Sequence, residues 1–80
     1  MPTVFREDGY RFFFYSNEGS PREPVHIRVE KDGSKAKFWL RPAAQVAYNE
    51  GYDARILRLL LSKVEANRER IERTWNEFFG

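Results

Sequence analysis

The stretch Pro24–Leu40, PVHIRVEKDGSKAKFWL, decides the fold. Asp32-Gly33 stands between two runs in which apolar and polar residues alternate. A two-residue type I′ turn needs positive φ at both central residues, which Asp-Gly supplies readily. Centring the turn there sets Val29 opposite Ala36, Ile27 opposite Phe38 and Val25 opposite Leu40. Successive strand residues point to opposite faces, so these apolar side chains share one face. The other face pairs Glu30 with Lys35, Arg28 with Lys37 and His26 with Trp39. A slip of one residue would turn the apolar set toward solvent, so turn chemistry and side-chain pattern demand the same register.

The polar face supplies the candidate binding residues. His26, Arg28, Lys35, Lys37, Trp39 and Arg41 point the same way if the strands are regular. Arg28 opposite Lys37 is a mildly unfavourable like-charge pair. Two readings fit the pattern. One is a solvated basic face with Trp39 partly under a loop; the other is a binding surface for an acidic partner or nucleic acid.

Toward the N-terminus, Met1–Ser16 reads as a first hairpin about Asp8-Gly9. Its register sets Phe5 opposite Phe12 and Thr3 opposite Phe14, with Arg6 opposite Arg11 and Val4 opposite Phe13 on the other side. Tyr10, Phe12, Phe13, Phe14 and Tyr15 put aromatic rings on both faces, which suits a strand covered on both sides or one exposed to a partner. Asn17–Glu23, NEGSPRE, is a loop by composition. It either folds over the basic face or leaves it bare. Pro24 takes the first position of the next strand, where a missing N–H is tolerated.

Toward the C-terminus, Pro42 ends the fourth strand. Ala44–Asn49 is either a fifth strand, with Val46 and Tyr48 alternating inward, or a short helical turn. Asn49-Glu50-Gly51 then punctuates the chain. From Asp53, the expected N-cap, to Phe79 the period becomes helical. Leu57, Leu60, Leu61, Val64, Ile71, Trp75 and Phe78 form one apolar stripe, which thins at Asn67 and Arg68. The expected architecture is a single α+β domain over residues 1–80. It has two layers: an antiparallel sheet of four to five strands over 3–49, and one long C-terminal helix over 53–79 packed on its inner face.

Composition narrows the function classes. The 80-residue chain has a modest core, and its 16% aromatic content suits so small a domain. It contains no cysteine, which removes disulfide and thiolate chemistry and fits a cytoplasmic location. No apolar run is long enough to span a membrane, and the N-terminal residues lack the basic start and apolar run expected of a secretory signal. A net charge of +2 is too mild to argue for nucleic acid by itself.

No nucleotide-binding, hydrolase or metal-binding motif is present. With one histidine and no cysteine, a zinc site is not expected. Glu23, Glu30 and Asp32 lie at the ends of the central hairpin and do not converge on a cation. No cofactor is expected. His26 is a weak catalytic candidate, as general acid or base on RNA beside cations that stabilise phosphate. The alternative is a surface histidine stacked on Trp39.

Several motifs together resemble a bacterial family, the domain-of-unknown-function family 4160. They are Met1-Pro2-Thr3-Val4; Glu23, Pro24, His26, Ile27 and Val29; Lys37, Phe38, Trp39, Leu40 and Pro42; Asn49, Gly51 and Tyr52; and Trp75, Phe78 and Phe79. The resemblance covers nearly the whole chain. It departs at Val25, where a second proline is usual, and at Arg28, where a second histidine is usual. Arg28 removes a ligand from what would be an H-x-H pair. The resemblance implies no activity. It implies genes that often neighbour another small protein, in arrangements like toxin–antitoxin pairs.

The leading expectation is a protein-interaction module that binds another small protein through the open face or a strand edge, anchored by Trp39 and Arg28. The alternative is RNA binding, with Trp39 stacking a base and Arg28, Lys37 and Arg41 on phosphates. A metal-independent ribonuclease using His26 is a third reading.

Overall fold

The computed structural model describes residues 2–18 and 23–80. Five strands come first: β1 (Thr3–Glu7), β2 (Tyr10–Phe13), β3 (His26–Lys31), β4 (Ser34–Trp39) and β5 (Gln45–Glu50). Two helices follow, α1 (Ala54–Ala66) and α2 (Arg68–Phe79). The strands form one open antiparallel sheet in the order β1-β2-β3-β4-β5, so β1 and β5 are its edges. Among the described residues no helix is long and apolar enough to cross a membrane.

The centre of the sheet has the register the alternation demands. Ile27 faces Phe38, Val29 faces Ala36 and Arg28 faces Lys37. Asp32 and Gly33 connect β3 to β4 with φ of 50° and 87°. Just beyond the strands, the Leu40 N–H donates to the Val25 carbonyl at 3.3 Å. Ile27, Val29, Phe38 and Leu40 are fully buried, as are Phe12 from β2 and Leu60, Val64 and Ile71 from the helices. Burying each such side chain contributes about 1.5–3 kcal/mol, so this layer carries most of the favourable energy of folding.

The first hairpin departs from the expected register. Phe5 faces Phe12 and Arg6 faces Arg11, but an irregularity between Thr3 and Phe5 sets Thr3 opposite Phe13. Val4 therefore has no cross-strand partner, and Phe14 lies past the end of β2. There its N–H donates to the Pro2 carbonyl at 3.2 Å, and its ring meets Trp75 of α2 edge-on at 5.0 Å. The pull of a helix-side aromatic cluster explains the shift. A regular strand would hold Phe14 over β1.

Residues 45–50 form a strand, not a helical turn. Its register also slips: Lys37 faces Tyr48 and Phe38 faces Val46, leaving Ala47 as an extra residue. A bulge of this kind re-aims the side chains around it. Val46 and Tyr48 consequently lie on opposite faces rather than both inward, and both are exposed, at 42% and 46%. After β5 the chain turns through Gly51, at φ 104°. A Cβ there would stand 2.5 Å from the Ser34 hydroxyl oxygen, so a side chain would not fit.

The single long helix is two. Asp53 caps α1, its carboxylate accepting from the Ile56 N–H at 2.9 Å. The helical path breaks at Asn67, at φ −109° and ψ 17°. The Asn67 side-chain amide donates to the Lys63 carbonyl at 2.8 Å. Asparagine competes in this way for the backbone partners of a helix. The break re-aims the stripe, so Leu60, Val64, Ile71 and Trp75 are all buried. Beyond Trp75 the stripe continues at the i+4 position: Phe79 packs against the core, and Phe78 is 49% exposed.

Candidate binding surface on the outer face and the β5 edge

The outer face of the sheet has a covered part and an open part. Over the start of β3, the segment after β2 returns across the sheet and brings Glu18 down onto it. Glu18 is buried, a costly place for a carboxylate unless it is paired. One of its oxygens bonds His26 Nε2, and the other accepts from Arg28 Nε at 2.5 Å. His26 Nδ1 lies 3.0 Å from the Pro24 carbonyl. The imidazole is wedged between the rings of Trp39, at 5.6 Å, and Trp75, at 4.8 Å. His26 therefore has both nitrogens engaged and its ring buried, and it offers neither nitrogen to a substrate from solvent. Its place explains why the chain needs a polar aromatic there: it joins the loop, the sheet and α2.

Carboxylates answer most of the cations on this face. Glu23 accepts from Lys37 Nζ at 3.2 Å, and Glu30 from Arg11 at 2.8 Å. Aromatic rings also lie beside two of these cations. Lys37 Nζ sits 4.4 Å from the Trp39 ring centre, and the Arg28 guanidinium 4.8 Å from that of Tyr15. Glu18 and Glu23 are the residues that reading strand faces alone overlooks. The available signal is a short loop carrying two carboxylates next to a face with an excess of cations.

The expected set does not stay together. Arg28, Lys35, Lys37 and Trp39 line one shallow cleft, of about 410 Å³, with Phe13, Tyr15, Ala47 and Tyr48. Arg41 leaves the face. Its guanidinium pairs with Glu72 of α2 through contacts of 2.8 Å, because the chain has already turned past β4. Glu23, Glu30 and Asp32 remain apart; the first two serve Lys37 and Arg11, and Asp32 lies in the turn.

β5 borders the cleft. Every residue of this strand is exposed. Glu50 is its one charged residue, and the Tyr48 hydroxyl donates to that carboxylate at 3.0 Å. The bond holds the Tyr48 phenol above its ordinary pKa, because ionisation would set two negative charges together. Asn49 and Tyr52 close the strand's far end: the Tyr52 N–H donates to Asn49 Oδ1 at 3.2 Å, and Asn49 Nδ2 returns a bond to the Tyr52 carbonyl at 2.9 Å. The Tyr52 hydroxyl donates to the Ser34 carbonyl at 3.0 Å, and burial pushes its pKa up to about 12. The edge strand is thus anchored at its end, with its flank open.

Residues 9–76 match the model of the family described as domain of unknown function (DUF4160), and the chain belongs to that family. No curated protein and no solved structure matches it.

Proposed function

We propose that this member of the family is a protein-interaction module that takes an extended segment of a partner protein against the free edge of β5. The observation that carries the reading is the character of that strand. It runs Gln-Val-Ala-Tyr-Asn-Glu, is exposed along its whole length, and presents Val46 and Tyr48 on its two faces. An edge strand offers a row of unpaired backbone N–H and C=O groups, and soluble proteins usually blunt such edges with lysine or proline. β5 has neither. Strand addition draws affinity from the backbone bonds and specificity from the flanking side chains. A partner that is another small protein also fits the gene-pair arrangements that the family resemblance implies.

RNA binding through the outer face is the weaker reading. Arg28 and Lys37 already have carboxylate partners, and Arg41 is turned toward α2. Phosphate would have to displace Glu18, which is buried.

The test is capture from native lysate with the tagged full chain, with and without nuclease, beside Val46→Lys. The expected result is a stoichiometric protein that survives nuclease treatment and is lost with Val46→Lys, since an edge lysine resists strand pairing. Capture that needs intact nucleic acid, or capture unchanged by Val46→Lys, would overturn the proposal.

A further inference from the structure

We infer that the segment received by β5 turns one large aromatic side chain through a gap at Ala47 into the adjoining cleft; this rests on the strand-addition reading. The gap comes from the bulge. Lys37 faces Tyr48 and Phe38 faces Val46, so Ala47 is the extra residue, and it lines the cleft with only a methyl group as its side chain. Its neighbours on the outer face lean away from it. Gln45 Nε2 is turned to the Arg41 carbonyl at 3.5 Å, and the Tyr48 hydroxyl is tied to Glu50 at 3.0 Å. The rim is therefore lowest at one point, and that point opens into the cleft.

The lining determines what enters there. Phe13, Tyr15, Trp39 and Tyr48 give it four rings. Each of its cations stands with a carboxylate: Arg28 with Glu18 at 2.5 Å, Lys37 with Glu23 at 3.2 Å, and Lys35 opposite Glu50 across the strands. A charged side chain would give up hydration in the cleft and find no free counter-charge. An uncharged aromatic ring gives up little and gains twice. It makes ring-to-ring contacts, and it offers a second π face to Arg28 and Lys37, which already lie over Tyr15 and Trp39. An aliphatic side chain gains burial alone. Neighbouring strands lie about 4.8 Å apart, so a residue opposite Ala47 reaches over the methyl group into the cleft. Toward the helix layer the same segment meets Val46, which calls for apolar residues on that face. The ring also sets the register of the added strand, because a slip of one residue turns it to the wrong face.

The test titrates the isotope-labelled full chain with three blocked heptapeptides and follows the β5 amides and the Trp39 indole N–H by NMR. Each peptide alternates valine on one face with threonine on the other, and alternate amides are N-methylated so that only one edge can pair. The central outward residue is phenylalanine in the first, leucine in the second and glutamate in the third. The expected result is that all three move β5 amides, that the phenylalanine peptide also moves the Trp39 indole, and that it binds roughly fivefold tighter than the leucine peptide, as one aromatic contact allows. In Ala47→Leu, which fills the gap, that advantage disappears while the leucine peptide still moves β5. Equal affinity for phenylalanine and leucine, or a preference for glutamate, overturns the aromatic side chain and leaves strand addition standing. A phenylalanine preference that survives Ala47→Leu overturns entry at the gap. No β5 shift with any peptide overturns both readings. Concentration-dependent β5 shifts of the chain alone, abolished by Val46→Lys, would seat a second copy on the edge and overturn the aromatic segment as its occupant.

Discussion

At one edge of the sheet β1 runs Thr-Val-Phe-Arg-Glu; at the other β5 runs Gln-Val-Ala-Tyr-Asn-Glu. Both edges are irregular, β1 at Val4 and β5 at Ala47. Beyond that they are treated in opposite ways. β1 carries charges at Arg6 and Glu7, and Phe5 is buried against Phe12 in a stacked pair at 4.2 Å. Arg70 of α2 lies over the Phe5 ring at 5.0 Å. Lys63 of α1 reaches down to Glu7 at 2.5 Å and Asp8 at 2.8 Å. The helix layer closes this edge. Among the described residues no helix side chain makes an ion pair or cation–π contact with β5, although α1 also packs on it, and Val46 and Tyr48 are nearly half exposed. Folding does not require the difference, since the same devices could have closed either edge. An exposed, partly apolar edge with Glu50 as its one charge is the feature on which the proposed strand addition rests.

Breaking that comparison most directly means truncating one large side chain at each edge. Phe5→Ala is expected to cost about 4 kcal/mol of unfolding free energy, because it opens a cavity beneath α2. Val46→Ala is expected to stay within about 0.5 kcal/mol, as for most exposed sites. Urea denaturation of both variants decides it; similar losses would mean that β5 is as embedded as β1.

A smaller effect concerns why the outer face is open only near β5. Glu18→Gln removes the buried charge that holds the segment over His26 and Arg28. Breaking a buried pair costs about 3 kcal/mol or more, and the low end applies here because Arg28 is partly exposed. The same denaturation experiment measures the loss. NMR shifts in the variant should spread along His26, Arg28 and Trp39 and leave Gln45–Glu50 in place. A variant as stable as the parent would show that the carboxylate does not secure the covered part.

The smallest effect is acid-dependent and belongs to β1. The Lys63 ammonium holds the Asp8 carboxyl below its ordinary value of 3.8. A carboxyl whose folded pKa is lowered stabilises the fold above its unfolded pKa, and that contribution fades as pH falls through the folded value. Lys63→Ala should therefore lower the urea midpoint slightly at neutral pH, and the difference from the parent should shrink as pH falls below 3.8 through the lowered folded value of Asp8. A difference that persists in acid would assign the effect to the lysine's methylene packing instead.

How far the sequence can be read depends on the range of the interaction. Ile27 opposite Phe38 and Val29 opposite Ala36 follow from a turn two residues long, because a short loop leaves few registers and only one buries the apolar set. Asp53 as an N-cap is likewise local, since its carboxylate meets an N–H three residues on. The slip at Val4 was hidden because Phe14 answers to Trp75, which lies sixty-one positions later in the chain. The break at Asn67 left only a faint trace, a thinning of the apolar stripe. Of the candidate residues, Arg28, Lys35, Lys37 and Trp39 do share a cleft, whereas His26 and Arg41 were drawn away by Glu18 and Glu72.

What the sequence by itself determined is the antiparallel pairing at the centre of the sheet, the strand-then-helix class and the basic, aromatic character of the outer face. These rest on alternation, turn chemistry and composition, which act between near neighbours. Only the tertiary structure decided which part of that face stays open and which edge is free. Those outcomes depend on where a loop carboxylate lands and how two helices cross the sheet. Ion pairs and ring contacts between distant segments set both, and no local pattern encodes the path that brings them together.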